Sequence, residues 1–436
     1  MRARVIVVVV AALAILALAG LGAWTGLRGG PTPRAPEGFV DEVVLRGLDE
    51  PLGLAFARDG SVVVAEKGGK VKVFPRLGSG RHEVFADLGD RVFRLGDRGL
   101  FGLALDPGFP TPSRLYVLYT FDGPIDASRP LGRRRCPSLF DGACVVSGRV
   151  SMLDGDGREK VLLAGWCQQF PSHGVGDLEL GADGALYASG GEGASYSRVD
   201  TGEAGGCGDP AGEGGALRAQ DALTAGDPLG LSGAVTRIEP RTGAHRLVAF
   251  GLRNPFRFAL RPGTSEVWIG DVGSTRSDEL DVADAARPPS DFGWPCYEGR
   301  KPLRSYDKAD VPLCERLYED GTAVEPEAVF ERDEHLLAGD PCGSGTQALA
   351  GAAFYEGGSY PARYSGALLL ADFARRCILA LLPDEDGRPD ASRLQLFRTN
   401  VANPVKLVTG PAGDLFYLDF TGGAVHRLRF VGREVP

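Results

Sequence analysis

The feature that most constrains this chain is a pattern that recurs six times. Each copy is a short apolar strand, a Gly, Pro or Asp turn, and a second apolar strand that often ends near an acidic or small residue. The paired segments are 54–56 with 62–66, 103–105 with 115–119, 178–180 with 186–189, 258–260 with 267–271, 353–355 with 368–372, and 407–409 with 415–419. Asp-Gly and Pro-Gly turns between apolar runs favour tight reversal, so each copy predicts a hairpin. A third strand follows in places, as at 70–74 and 425–429, where alternation predicts the wet outer edge of a sheet. A lone hairpin cannot bury its apolar face, so the copies must pack on one another. Radial repetition does this and leaves only short edges. The pattern therefore predicts an all-β, six-bladed β-propeller over residues 37–432. The spacing of the copies exceeds a bare blade of about 40–45 residues. The excess is assigned to loop insertions at 121–147, 192–231 and 297–347. Helix signals are weak throughout.

Composition agrees. Gly and Pro (63 and 30 residues) are spread along the chain, as turns would be, and do not form one tract. The formal net charge of −9, with no basic stripe, argues against nucleic acid as a partner. Arg2 and Arg4 precede an apolar run over 5–21, and Ala17-Leu18-Ala19 fits a signal cleavage site. Residues 1–36 are read as a secretory signal peptide or an uncleaved membrane anchor, followed by a Gly/Pro-rich linker. Either way the rest of the chain lies outside the cytoplasm, and this segment is the only expected contact with a membrane. The eight cysteines include no C-x-x-C pair, which in an exported chain favours disulfides. Local pairing gives Cys136–Cys144, Cys167–Cys207, Cys296–Cys314 and Cys342–Cys377, stapling the insertions.

The common motifs of metalloproteases, P-loop proteins and serine hydrolases are missing. Gly191-Glu192-Gly193 follows a strand but lacks the full dinucleotide fingerprint. Of the five histidines, His82, His245, His335 and His426 sit in ordinary polar or strand-edge contexts and are read as surface residues. His173 differs, because it precedes the inner strand of the third copy, at the mouth of a propeller channel, where it can serve as a general base. Gly251-Leu252-Arg253-Asn254-Pro255 occupies the same position before the fourth copy, and Arg253 offers a fork of donors for developing negative charge. Gly270-Asp271-Val272-Gly273, Ser277-Asp278-Glu279 and Asp291-Phe292-Gly293-Trp294-Pro295 combine carboxylates with loop carbonyls, a donor set that suits Ca²⁺.

The strings PLGLAFARDGSVVVAEKGGKVKVF, DRGLFGLALDPGFPTPSRLYVLYT, SHGVGDLELGADGALYASGGEG, GLRNPFRFALRPG, GDVGSTRSDELDVA and DFGWPCYEG resemble, in order, the soluble glucose/sorbosone dehydrogenases. Aldose sugar dehydrogenases and the propellers of hedgehog-interacting proteins belong to the same group. The resemblance implies a six-bladed propeller holding pyrroloquinoline quinone (PQQ) through Ca²⁺, oxidising an aldose at its anomeric carbon and passing electrons to an external acceptor. It implies that His173 is the base and that Arg253 stands beside the reacting carbonyl. Asn254 and Asp97 would contact the cofactor, and the carbonyls of Gly273 and Ser274 would hold the cofactor's Ca²⁺. Glu279 and the Phe292 carbonyl would bind a separate structural Ca²⁺. Where the family carries cations for the PQQ carboxylates, this chain has Ala374, Asn403 and Val405. Arg375, Arg376 and Lys406 lie next door, with Arg375 and Lys406 taken as the substitutes. Phe256 replaces a glutamine, and Glu356 stands at a threonine position. These departures leave a second reading: an extracellular propeller without enzymatic activity that binds a glycan, a protein or calcium.

Overall fold

The computed structural model describes residues 34–132, 144–224 and 230–432. Six sheets form the blades. All six hairpins read from the sequence are present, each contributing the inner two strands of a blade. The inner strands are Pro51–Phe56, Leu100–Leu105, Val175–Leu180, Pro255–Leu260, Leu349–Tyr355 and Pro404–Thr409, for blades one to six. Each packs on the next and the sixth returns to the first, which closes the ring. Close approach at the axis requires small residues. A Cβ on Gly53 would lie 2.7 Å from Leu103 of the next blade, and one on Gly102 2.5 Å from Leu178.

The third strands at Lys70–Phe74 and Ala424–Phe430 are not the outer edges. Glu83–Asp87 lies outside the first. The second is covered by Phe39–Arg46, so the first strand of the described chain completes the last blade. That closure is a polar clasp over an aromatic cluster. Phe39 packs on Tyr360, Tyr364, Phe397 and Phe430. Asp41 accepts from Tyr417 (2.6 Å) and pairs with His426 Nδ1 (2.7 Å), while Glu42 pairs with Arg429. His426 is therefore part of the ring closure and not a surface residue.

The second and third insertions are stapled loops. Cys167–Cys207, Cys296–Cys314 and Cys342–Cys377 are bonded as the spacing indicated. The fourth pair, Cys136–Cys144, includes a residue outside those described, and the expected signal or anchor over residues 1–33 lies wholly outside them. The third insertion runs over 285–327, between the third and outermost strands of blade four; Ala328–Glu331, assigned above to the insertion, is that outer strand. It also carries helices at Arg304–Asp307 and Pro312–Asp320 that the sequence reading missed. The signals were there: Pro312 opens the second helix and Gly321, at φ 58°, ends it. No helix among the described residues is long and apolar enough to cross a membrane.

Candidate functional site

One mouth of the ring lies where the inner strands begin, and two repeated devices build it. The first is a β-bulge, present at the start of all six inner strands. An extra residue there breaks the alternation and re-aims a side chain. Leu52, Phe101, Phe256, Ala350 and Val405 lie in these bulges and line the mouth cavity. The second device is the residue that follows a second strand: Lys67, Val272, Phe373 and Phe420 also line it. With Asp97, Asn254 and Ala348 they enclose about 220 Å³.

The acidic ends of the second strands are clasps on the loops that enter the inner strands. Asp271 accepts the N–H of Arg253 (2.8 Å) and of Asn254 (2.6 Å). Asp372 accepts that of Ala348, and Glu66 that of Asp49. Burial pushes the Asp271 carboxyl up to about 7, against the pull of its two N–H donors.

His173 has a left-handed backbone, φ 53°. Such a conformation costs about 1–3 kcal/mol and persists only where the surroundings fix it. Here the Gly193 N–H donates to the His173 carbonyl (3.0 Å) and the Gly191 N–H to Gly174 (2.7 Å). A Cβ on Gly191 would sit 2.6 Å from the His173 oxygen, so the Gly-Glu-Gly segment is a brace. Between the two glycines, Glu192 Oε1 lies 2.5 Å from His173 Nδ1, and both side chains are buried. With a carboxylate as acceptor, Nδ1 carries the hydrogen, and in the neutral ring Nε2 is then the acceptor nitrogen. The Glu192 N–H donates to the Arg253 carbonyl (3.0 Å), and the Arg253 Nη1 donates to the carbonyls of Val272 (2.8 Å) and Gly273 (2.5 Å). His173, Glu192, Arg253 and the Gly273 loop, distant in sequence, thus form one connected set. Glu192 had no role in the sequence reading, although its flanking glycines were visible.

The sequence profile of the glucose/sorbosone dehydrogenases matches residues 48–425. The chain belongs to the glucose/sorbosone dehydrogenase family. Among solved structures, the putative oxidoreductase (glucose dehydrogenase) of Thermus thermophilus is similar at 23% identity, covering 90% of this chain and 100% of its own, with a TM-score of 0.61. The PQQ-bound aldose sugar dehydrogenase of Streptomyces coelicolor is similar at 18% identity (91% and 99% covered, TM-score 0.61). The apo aldose sugar dehydrogenase of Escherichia coli is similar at 16% (90% and 99%, TM-score 0.57). At these identities the likeness shows the propeller fold. No curated protein sequence matches the chain.

In this chain, the residues taken as replacement cations lie elsewhere. Lys406 is buried and paired with Asp177 (2.7 Å) and with Glu179, inside the channel. Arg375 is buried too, donating to the carbonyls of Glu331, Arg332 and Gly345. The cation that does line the cavity is Lys67. Its Nζ lies 5.5 Å from the Phe420 ring centroid and 3.8 Å from Glu50. Glu356 lines the cavity at the opposite end of the channel, so it sets no negative charge against a ligand in the mouth.

The calcium expectations divide. The Gly273 carbonyl already accepts from Arg253 and from Arg332 Nη2 (2.9 Å), so it does not fit a Ca²⁺ ligand. The Ser274 N–H donates to Glu298 (2.6 Å). Glu279 accepts from the Gly299 N–H (2.5 Å) and stands opposite Asp271 in register. Asp281, two residues on, is fully buried with neither carboxylate oxygen partnered. Burial, then the Asp271 charge, pushes the Glu279 carboxyl up to about 8, and burial also drives Asp281 upward. This chemistry fits a cation, although among the described residues no ready group of three or more His, Cys, Asp or Glu is arranged around one. Phe292 is buried and donates its N–H to Phe250 (3.0 Å).

Proposed function

We propose that this chain is a PQQ-dependent sugar dehydrogenase that oxidises an aldose at its anomeric carbon. The observation that carries the reading is the His173–Glu192 pair joined through backbone to Arg253, whose neighbour Asn254 lines the apolar mouth, in a chain of the glucose/sorbosone dehydrogenase family. The S. coelicolor relative holds PQQ. The cavity has the character of a site for a planar aromatic acid: Phe256, Phe373 and Phe420 give flat apolar walls, and Lys67 and Asn254 supply donors at the edge. PQQ, when bound there, would supply the acceptor for the hydride leaving the sugar, with an external acceptor taking the electrons onward.

The protein's own groups do the rest. His173 Nε2 takes the proton of the anomeric hydroxyl, and Glu192 holds the ring in the required tautomer and steadies the imidazolium. Arg253 presents a fixed positive charge where negative charge develops. Asp97 and Asn254 line the cavity and orient what enters it. Glu279 and the Phe292 carbonyl, with Asp281 beside Glu279, would hold a Ca²⁺ away from the reaction. Three disulfides support an extracytoplasmic location.

The test is dye reduction by purified protein supplied with PQQ and a panel of aldoses. Turnover with at least one aldose is expected, and His173→Ala should abolish it while leaving the fold intact. No turnover with any aldose would overturn the reading, and turnover retained in His173→Ala would overturn the base.

A further inference from the structure

We infer that the mouth recognises its carboxylate-bearing quinone without a bridging Ca²⁺, because the guanidinium groups of Arg253 and Arg332 occupy the cation's place on the Gly273 carbonyl. The inference rests on the quinone reading above and departs from the calcium-bridged site the sequence resemblance implies. Arg253 Nη1 (2.5 Å) and Arg332 Nη2 (2.9 Å) donate to the same oxygen. A carbonyl has two lone pairs, and both are engaged. Ca²⁺ binding would require both donors to withdraw and would bring a divalent charge against two guanidiniums.

The arrangement is built, and the Arg332 backbone is held in place from both sides. The Arg332 N–H donates to Arg276 (2.7 Å), and its carbonyl accepts from the Gly345 N–H and from Arg375 Nη2 (3.1 Å). Asp278, fully buried, accepts from Arg332 (3.4 Å) and from the Gly273 N–H (3.1 Å), fixing the loop and the guanidinium relative to each other. Gly273 cannot be another residue, since a Cβ there would fall 1.7 Å from the Ser277 carbonyl. Val272 and Asn254, the chain neighbours of Gly273 and Arg253, line the mouth cavity, so the pair lies directly behind its wall. Arg332 would give a planar carboxylate a forked, hydrogen-bonding partner in place of a metal ion, with Arg253 beside it at the reacting edge.

The experiment is PQQ binding to the full chain, followed by tryptophan quenching, in EGTA and in excess Ca²⁺, at a temperature where the chelated protein is folded by circular dichroism. Wild-type Kd should agree within about threefold between the two conditions. Arg332→Gln should weaken binding at least tenfold in both, with Arg332→Lys recovering part of the loss. Binding that appears only with Ca²⁺ would overturn the inference and leave the quinone reading standing. An unchanged Kd in a folded Arg332→Gln would do the same. No PQQ binding in either condition would overturn both. The chelation arm needs no variant, so it decides even if Arg332→Gln fails to fold.

Discussion

Removing the Glu192 side chain should damage catalysis while sparing the fold. In Glu192→Ala the His173 Nδ1–H loses its acceptor at 2.5 Å. The charge-assisted bond that steadies the imidazolium as it forms is lost, which costs the transition state about 1–3 kcal/mol. At about 1.4 kcal/mol per factor of ten, turnover should fall by about 5- to 150-fold. Glu192→Gln keeps an acceptor and loses only the charge, a difference of about 1–1.5 kcal/mol, or about tenfold. Stability should not follow activity. The segment is braced by main-chain groups that both variants keep, the Glu192 N–H to Arg253 and the Glu192 carbonyl to Arg218 Nη1 (2.9 Å). Glu192 Oε2 is buried without a partner, so its removal relieves a desolvation cost. The assay is steady-state dye reduction with PQQ in excess, beside thermal melting of the same samples. The drop should appear in kcat. Turnover of Glu192→Ala within twofold of wild type would refute the reasoning, as would loss of activity that tracks a lowered Tm.

Lys67→Gln should weaken PQQ binding about tenfold or more, because a charge-assisted hydrogen bond contributes about 1.5–3 kcal/mol; an unchanged Kd by fluorescence titration would remove Lys67 from the site. Asp41→Asn should loosen the ring closure in a pH-dependent way. Burial alone would raise the Asp41 carboxyl, but hydrogen bonds from His426 and Tyr417 outweigh it and hold it below its ordinary 3.8. That stabilisation is present above about pH 4 and lost as pH falls through the lower folded value, so the Tm gap between wild type and variant should close in acid; a gap constant with pH counts against the clasp. Ca²⁺ added to chelated protein should raise the Tm, and Glu279→Gln should remove the effect; no shift in wild type would show that the acidic cluster holds protons instead.

The hairpins were legible because turn residues and apolar alternation act over a few positions, and all six were found. The closing strand Phe39–Arg46 was not, because its partner Ala424–Phe430 lies at the far end of the chain. The site was legible where a residue precedes an inner strand, as His173, Arg253 and Asn254 do. It failed inside the bulges. Val405 faces the mouth while Lys406, one residue later, pairs inside the channel, and a slip of one position reverses a side chain's face. Glu356 was misplaced by a strand's length: it is six residues past Ala350, about 20 Å at about 3.3 Å per residue. Lys67 and Arg332 carry no local motif, and only the ring and the Gly273 loop give them meaning.

The most direct test of the central claim, that one mouth of a six-bladed ring gathers the reacting groups, is a crystal structure of the protein with PQQ. The quinone should lie against Phe256 and Val405, with Lys67 or Arg332 on a carboxylate and Arg253 and His173 at its reacting edge. Density for PQQ at the opposite end of the channel, beside Glu356, or a ring in which His173 and Arg253 stand apart, would contradict it.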